Sequence, residues 1–188
     1  IMHYAEVADL SFRVPWIDLM KELANQGVEQ VLLCRAGGNL EQVAVEAGIE
    51  TITWKPIVTN FPPANLGYPH LLKSLSPDIV HTRLSSAAYI AGFGGKYLKI
   101  PTVAMIDGFS YKKKYYKNAD RYMACSVAAK ESMVTMGLPY PLIDVVYNSI
   151  DVPKYSKNIS KRTAFRESHH ILPHEKVFVG AGSFSFIK

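Results

Sequence analysis

Between Ala119 and Asp151 two apolar runs, Arg121–Cys125 and Asp144–Tyr147, flank one amphipathic segment, Val127–Met136, that stops at Gly137. Each run is followed by a small polar residue, Ser126 and Asn148. Short apolar runs joined by a helix-length crossover pair as parallel strands, and the crossover is right-handed. In an open sheet of this kind ligands sit just beyond the carboxyl ends of the strands. Ser126 and Asn148 are therefore expected to face one cleft.

The same alternation runs through the chain. Ser11 reads as a helix cap, with Pro15 in the first turn and Ile17, Met20, Leu23 and Ala24 at helical spacing before Gly27. Strands are expected at Val28–Cys34, Ile49–Trp54, Asp78–Thr82 and Thr102–Ile106. Helices are expected at Asn39–Ala47, Tyr68–Leu75 and Ser86–Leu98. Lys55–Pro69 holds four prolines and two asparagines and reads as a long loop; loops of that length are usually functional or mobile. The expected fold is α/β, a Rossmann-like parallel sheet with helices on both faces. Residues 1–151 form that domain, 152–175 a linker with a short helix near Thr163–His170, and 176–188 an apolar strand and loop, with Lys176–Gly182 as the strand.

Composition narrows the class. The 188 residues are 48% hydrophobic and 20% charged, which suits a globular chain. No apolar run approaches the roughly 18 residues that span a bilayer. No signal peptide is visible, although the chain opens at Ile1 inside a strand-like run, consistent with missing N-terminal residues. Cys34 and Cys125 each end an apolar run, which suggests buried thiols and a reducing compartment rather than a disulfide framework. A net charge of +5 is compatible with phosphate-rich substrates, nucleic acid or an anionic membrane, and does not choose among them.

The stretch from Ala119 to Asp151 resembles the end of the N-terminal domain in family 4 glycosyltransferases of GT-B fold, with Ser149 where the family usually has Gly. Pro77–Arg83 looks like the family's run from Pro-Asp to His-x-His: His81 matches and Arg83 replaces the second His. Pro101–Gly108 looks like the strand carrying a His-Gly or His-Asp pair, with Asp107 in the place of the His. Val179–Lys188 looks like the opening of the second Rossmann domain: Lys188 matches the family's diphosphate-binding Lys and Ser183 stands where an Arg would be. No single motif is specific; their order and spacing together are. The resemblance implies the N-terminal half of a GT-B fold and a retaining, metal-independent transferase. It would move a sugar from a nucleotide diphosphate sugar to a hydroxyl acceptor in surface polysaccharide or glycolipid assembly. This chain would be the acceptor-side half, inactive alone, with no cofactor besides the donor substrate.

Asp107, beside Gly108, could orient an acceptor hydroxyl or stabilise positive charge at the breaking glycosidic bond; its alternative is a turn Asp bonding its own backbone. Gly108 would let a ligand approach the backbone closely. His81 reads as a buried structural His or a ligand contact, and Arg83 as a phosphate-binding fork or a solvated surface residue. Ser126 caps the next helix or donates to a sugar or phosphate. Asn148 bonds the loop backbone at a hinge or touches substrate. The loop Ala8–Pro15 has no Gly, so backbone cradling of phosphate loses support there, though Asp9, Ser11 and Arg13 could contribute. Gly92-Phe93-Gly94-Gly95 fits close helix packing better than phosphate binding.

Tyr111-Lys112-Lys113-Lys114-Tyr115-Tyr116-Lys117 interleaves lysines with aromatics, which suits an anionic membrane or a lipid-linked acceptor, a nucleic-acid strand or a solvated helix face. The expectation drawn is Lys112, Lys113, Lys114, Tyr115 and Tyr116 as a membrane or acceptor patch, with no nucleic acid as partner. The spacing of His169, His170 and His174 is not that of a usual zinc site, and no metal is expected. The expected location is cytoplasmic, peripheral at the inner face of the cell membrane, and a dimer of the fragment is expected from its uncovered interdomain face. Two rival readings are a non-catalytic Rossmann-like binding module and a nucleotide-dependent oxidoreductase; the latter lacks a Gly-x-Gly-x-x-Gly after the first strand.

Overall fold

Seven strands pair side by side in the computed structural model, which describes residues 1–109 and 112–180. They are β1 (Met2–Ala5), β2 (Val31–Cys34), β3 (Thr51–Thr53), β4 (Val80–Arg83), β5 (Thr102–Ile106), β6 (Arg121–Ala124) and β7 (Ile143–Val145). All are parallel, in the order β3-β2-β1-β4-β5-β6-β7. The order reverses direction between β1 and β4, which makes that pair the topological switch point. The connecting helices are α1 (Arg13–Asn25), α2 (Asn39–Glu46), α3 (Gly67–Leu75), α4 (Ser85–Leu98) and α5 (Val127–Thr135). The chain divides into two compact units, Ile1–Ser149 and Ile150–Lys188, and the sheet lies in the first.

Side chains of a strand alternate between the faces of the sheet, and the helices sort accordingly. On one face Ala5, Leu32 and Cys34 meet Trp16, Ile17 and Met20 of α1 and Leu40 and Ala44 of α2. On the other, Met2, Tyr4, Leu33 and Val80 meet Tyr68 and Leu72 of α3 and Ile90 and Ala91 of α4. Further along, Ala104, Tyr122 and Ala124 pack under Ala129 and Met133 of α5. The sheet is thus doubly wound, as the alternation of apolar runs requires. Cys34 is buried and Cys125 half-buried, both free.

Several local expectations differ. Ser11 does not cap α1: Phe12 holds that position without a side-chain bond, and Ser11 is exposed. Pro15 does stand in the first turn of the helix. The loop Lys55–Pro69 is ordered by Asn65, only 1% exposed, whose Oδ1 accepts from Ile57 N at 2.7 Å and Val58 N at 3.2 Å. A 3-10 turn at Pro62–Ala64 leads into α3. In the second unit α6 (Ile159–Ser168) starts inside the expected linker, because Asn158 Oδ1 accepts from Lys161 N at 2.8 Å and caps it. Residues 176–180 form no strand; Phe178 is 94% exposed, and no neighbouring strand takes up their backbone groups. The rest of that expected strand, with Ser183 and Lys188, lies outside the described residues.

The glycines of α4 serve close packing. A Cβ on Gly95 would stand 2.5 Å from Thr102 Oγ1 and 2.6 Å from the Ile100 carbonyl oxygen, and one on Gly94 would stand 2.7 Å from the Tyr68 ring. Helix propensity favours Ala over Gly by about 1 kcal/mol, but the Ile100 contact is backbone and cannot swing aside. Gly95→Ala is therefore expected to lower stability, net, by about 1–3 kcal/mol in equilibrium urea unfolding. Gly108→Ala, where nothing lies within 4 Å, should be near neutral. Equal stability of the two variants would refute the packing role.

Candidate functional site

Arg83 ends β4 at the switch point and is only 5% exposed. Its register partners are Ala5 on β1 and Met105 on β5, so Asp107, two residues past Met105, continues on the same face. Arg83 Nη2 lies 3.6 Å from Asp107 Oδ1 and donates to Asn148 Oδ1 at 3.4 Å. The guanidinium sits 4.9 Å from the Phe12 ring centroid and 5.4 Å from that of Trp16, within cation–π range. The end of β4 and the segments after β5 and β7 thus bring Arg83, Asp107 and Asn148 to one point on the carboxyl edge. The solvated-surface reading of Arg83 is overturned, because two aromatic rings and a carboxylate enclose it. Asp107 is no turn residue either: neither of its carboxylate oxygens accepts a hydrogen bond from the protein. Burial raises its pKa and the Arg83 charge opposes that rise. Burial likewise lowers that of Arg83, with Asp107 opposing.

One rung deeper, His81 faces His3, its register partner on β1. Their Nδ1 atoms are 3.0 Å apart, and His3 Nε2 lies 3.1 Å from Gln30 Oε1. Gln30 donates through Nε2 to the Met20 carbonyl, which turns its Oε1 toward His3. His3 must then donate from Nε2 and accept at Nδ1, and His81 donates from Nδ1. That leaves His81 Nε2 as an acceptor with no protein partner. Burial holds both rings neutral, lowering His3 to about 4 and His81 to about 3. His81 thus occupies the buried position of its structural reading.

Among the described residues nine buried side-chain polar atoms lack a hydrogen-bond partner, and five belong to His81, Arg83 and Asp107. Native interiors seldom leave such groups unmet, so their concentration at the switch point marks a place built for a polar ligand. Arg83 Nε and Nη1 can donate and the Asp107 oxygens can accept, which is the complement of a hydroxyl group. Backbone strain occurs beside them. Leu84 has φ 73° and ψ 152°, a conformation costing of order 1–3 kcal/mol that tends to cluster at functional sites.

The other sequence candidates divide. Ser126 caps α5, its Oγ accepting from Ala129 N at 3.1 Å. Gly108 is exposed next to Asp107, with open space where a Cβ would be. Asp9 Oδ1 accepts from Asn39 N at 3.0 Å and Arg13 Nη1 donates to the Leu10 carbonyl at 3.2 Å, so both serve the loop after β1. Lys112, Lys113 and Lys114 are exposed. Tyr116 is not part of that patch: it is 4% exposed in the core beneath α5, because its ring completes the cluster with Ala119 and Tyr122. Tyr115 is half-buried against Tyr89 at 5.4 Å. Tyr111 and Lys188 lie outside the described residues. Sequence reasoning missed His3, Phe12 and Trp16. A histidine inside the apolar run His3-Tyr4-Ala5 was the available signal, but only the β1–β4 pairing gives it meaning.

A doubly wound parallel sheet with a polar cluster at its switch point is a Rossmann-like α/β domain with the ligand position such sheets share. Residues 16–154 match the model of Glycosyltransferase Family 4, and the chain belongs to that family. No curated protein matches by sequence. Among solved structures, a glycosyltransferase from Rickettsia africae ESF-5 is 17% identical with a TM-score of 0.72, covering 92% of this chain and 50% of that one. Anabaena HepE in complex with UDP and glucose is 14% identical with a TM-score of 0.70, covering 89% and 49%. The lipopolysaccharide outer core galactosyltransferase WaaB is 18% identical with a TM-score of 0.64, covering 81% and 47%. The chain therefore spans about half the length of these proteins.

The neutral histidine pair sets a pH dependence. A folded pKa below the unfolded 6.5 means that this stability is present above pH 6.5 and is lost as pH falls toward the folded value. At pH 5 the loss from His3 alone is about 2 kcal/mol. Urea unfolding from pH 7.5 to 4.5 is expected to show this fall, and His3→Gln should make it shallower while the His81 contribution remains. A wild-type profile flat through that window would refute the buried neutral pair.

Proposed function

We propose that this chain supplies the acceptor-side half of a retaining, metal-independent glycosyltransferase. It moves a sugar from a nucleotide diphosphate sugar to a hydroxyl of a glycan or glycolipid acceptor in surface polysaccharide or glycolipid synthesis. The observation that carries this reading is the Arg83–Asp107–Asn148 cluster, whose unmet donors and acceptors complement a sugar hydroxyl. Asp107 accepts the hydrogen bond of the acceptor hydroxyl and fixes its direction. Arg83 donates to a neighbouring oxygen and opposes the upward pull of burial on the Asp107 pKa. His81 offers its unpaired Nε2 from the rung below, Gly108 stands beside Asp107, Ser126 contacts substrate while capping α5, and Lys188 holds the donor diphosphate. Support comes from family membership and from the neighbours: HepE was solved with UDP and glucose, and WaaB is named a galactosyltransferase of lipopolysaccharide. The enzyme works at the cytoplasmic face of the cell membrane, with Lys112, Lys113 and Lys114 toward anionic lipid.

The test is donor hydrolysis and transfer by the full-length protein with UDP-, GDP- and ADP-sugars, without added metal. One donor should turn over. Asp107→Asn keeps the shape and removes the charge, and should lower kcat/KM for transfer by roughly 10²–10³-fold. Arg83→Lys should lower it too, because a point charge cannot replace a planar fork. Turnover untouched by either variant would remove the cluster from the active centre. No turnover with any donor from a folded protein would favour the non-catalytic binding module.

A further inference from the structure

Tyr4, Leu33 and Ile52 pair in one row across β1, β2 and β3. Two residues further along the same strands stand Glu6, Arg35 and Trp54, on the face that α3 and α4 cover. Glu6 is only 5% exposed. Arg35 Nε donates to Glu6 Oε1, and Arg35 Nη2 stands against the same oxygen. Among the described residues nothing else bonds Glu6 Oε2 or Arg35 Nη1, so the pair keeps an acceptor and a donor open side by side.

This row borders a cavity of about 460 Å³ at the carboxyl ends of β2 and β3, lined by Ala8, Arg35, Ala36, Thr53, Trp54 and Lys55. Small-molecule sites run roughly 300–1,000 Å³. Backbone bonds fix its wall: Arg35 N donates to the Val7 carbonyl and Leu40 N to that of Ala8, both at 3.1 Å. Trp54 is half-buried, with the Tyr4 ring at 6.0 Å and the Tyr68 ring at 5.4 Å behind it. Tyr4 and Tyr68 are at most 1% exposed, and neither hydroxyl has a hydrogen-bond partner. They are two of the four unmet buried atoms outside the Arg83 cluster. Burial raises the Tyr4 pKa; Tyr68 and Glu6 add to the rise and Arg35 opposes it, so the hydroxyl lies within reach of the Glu6–Arg35 pair.

We propose that this cavity is a subsite for a distal sugar of an oligosaccharide acceptor, with Trp54 as stacking surface and Glu6–Arg35 as the hydroxyl-binding pair. A pyranose ring has an apolar face of C–H groups and an edge of hydroxyls that each donate and accept. The Trp54 ring suits the face. A fixed carboxylate beside a guanidinium suits two neighbouring hydroxyls. Glu6 cancels the Arg35 charge, so the cavity favours a hydroxylated ligand over a free anion. Neighbouring strands lie about 4.8 Å apart. Since β2 and β3 are two and three strands from β4, the subsite is about 10–14 Å from Arg83 across the sheet edge. An acceptor whose hydroxyl meets Asp107 reaches Trp54 only if it carries further sugars, so the acceptor class is an oligosaccharide. The inference rests on the acceptor-side reading of the Arg83 cluster. Sugar binding is measured without donor, so the two can fail separately.

The test is binding of the full-length protein, without donor, to an array of bacterial surface oligosaccharides and their component monosaccharides, with titration calorimetry on the glycans bound. Binding is expected to oligosaccharides and not to the monosaccharides. Trp54→Leu fills the same core space without a ring face and should weaken binding roughly tenfold, whereas Trp54→Phe should keep most of it. Arg35→Lys keeps a charge beside Glu6 but loses the fork, and should weaken binding roughly threefold to tenfold. Urea unfolding shows that each variant is folded. Trp54-dependent binding by a protein that turns over no donor would support the subsite and strike the transferase reading. No glycan bound by the folded protein, equal binding of monosaccharides, or equal losses from Trp54→Leu and Trp54→Phe would each overturn the inference.

Discussion

The carboxyl edge of this sheet is organised around one buried positive charge. A guanidinium that is 5% exposed carries a desolvation cost of several kcal/mol unless its surroundings compensate. The compensation for Arg83 comes from four separate segments: Phe12 in the loop after β1, Trp16 in α1, Asp107 after β5 and Asn148 after β7. No helix or strand could supply these alone. They meet because β1 and β4 are neighbours at the point where strand order reverses. The compensation is also incomplete, since the Asp107 contact at 3.6 Å is too long for a hydrogen bond and Nε and Nη1 have no acceptor. A charge fully satisfied by its own chain would have little to offer a ligand. This one keeps the directional part of its bonding capacity open.

The rung below behaves oppositely. His3 and His81 spend their donors on each other and on Gln30, stay neutral, and fill the sheet beneath the site with a polar pair needing no counter-ion. Two adjacent rungs of the β1–β4 ladder therefore bury polarity in two ways, one closed and one open. Ala5 opposite Arg83 is part of that arrangement, because a larger side chain there would compete with Phe12 and Trp16 for the face over the guanidinium. The His81 acceptor at Nε2 is the one group of the lower rung left unspent.

The alternation of strand and helix was legible because strands buried on both faces read as short apolar runs, and Ser126 was legible as a cap because its hydroxyl precedes a helical run. The other features depended on partners distant in sequence. Arg83 follows His81 and Thr82 and nothing local says that it is buried; Phe12, Trp16, Asp107 and Asn148, all distant in sequence, enclose it. Tyr115 and Tyr116 are adjacent and chemically identical, and the turn at Lys113–Tyr115 decides which one enters the core. Asn65 looked like one more loop residue, yet it orders the loop through three backbone bonds. The start of α6 was missed because Asn158 stands among polar residues that resemble a linker.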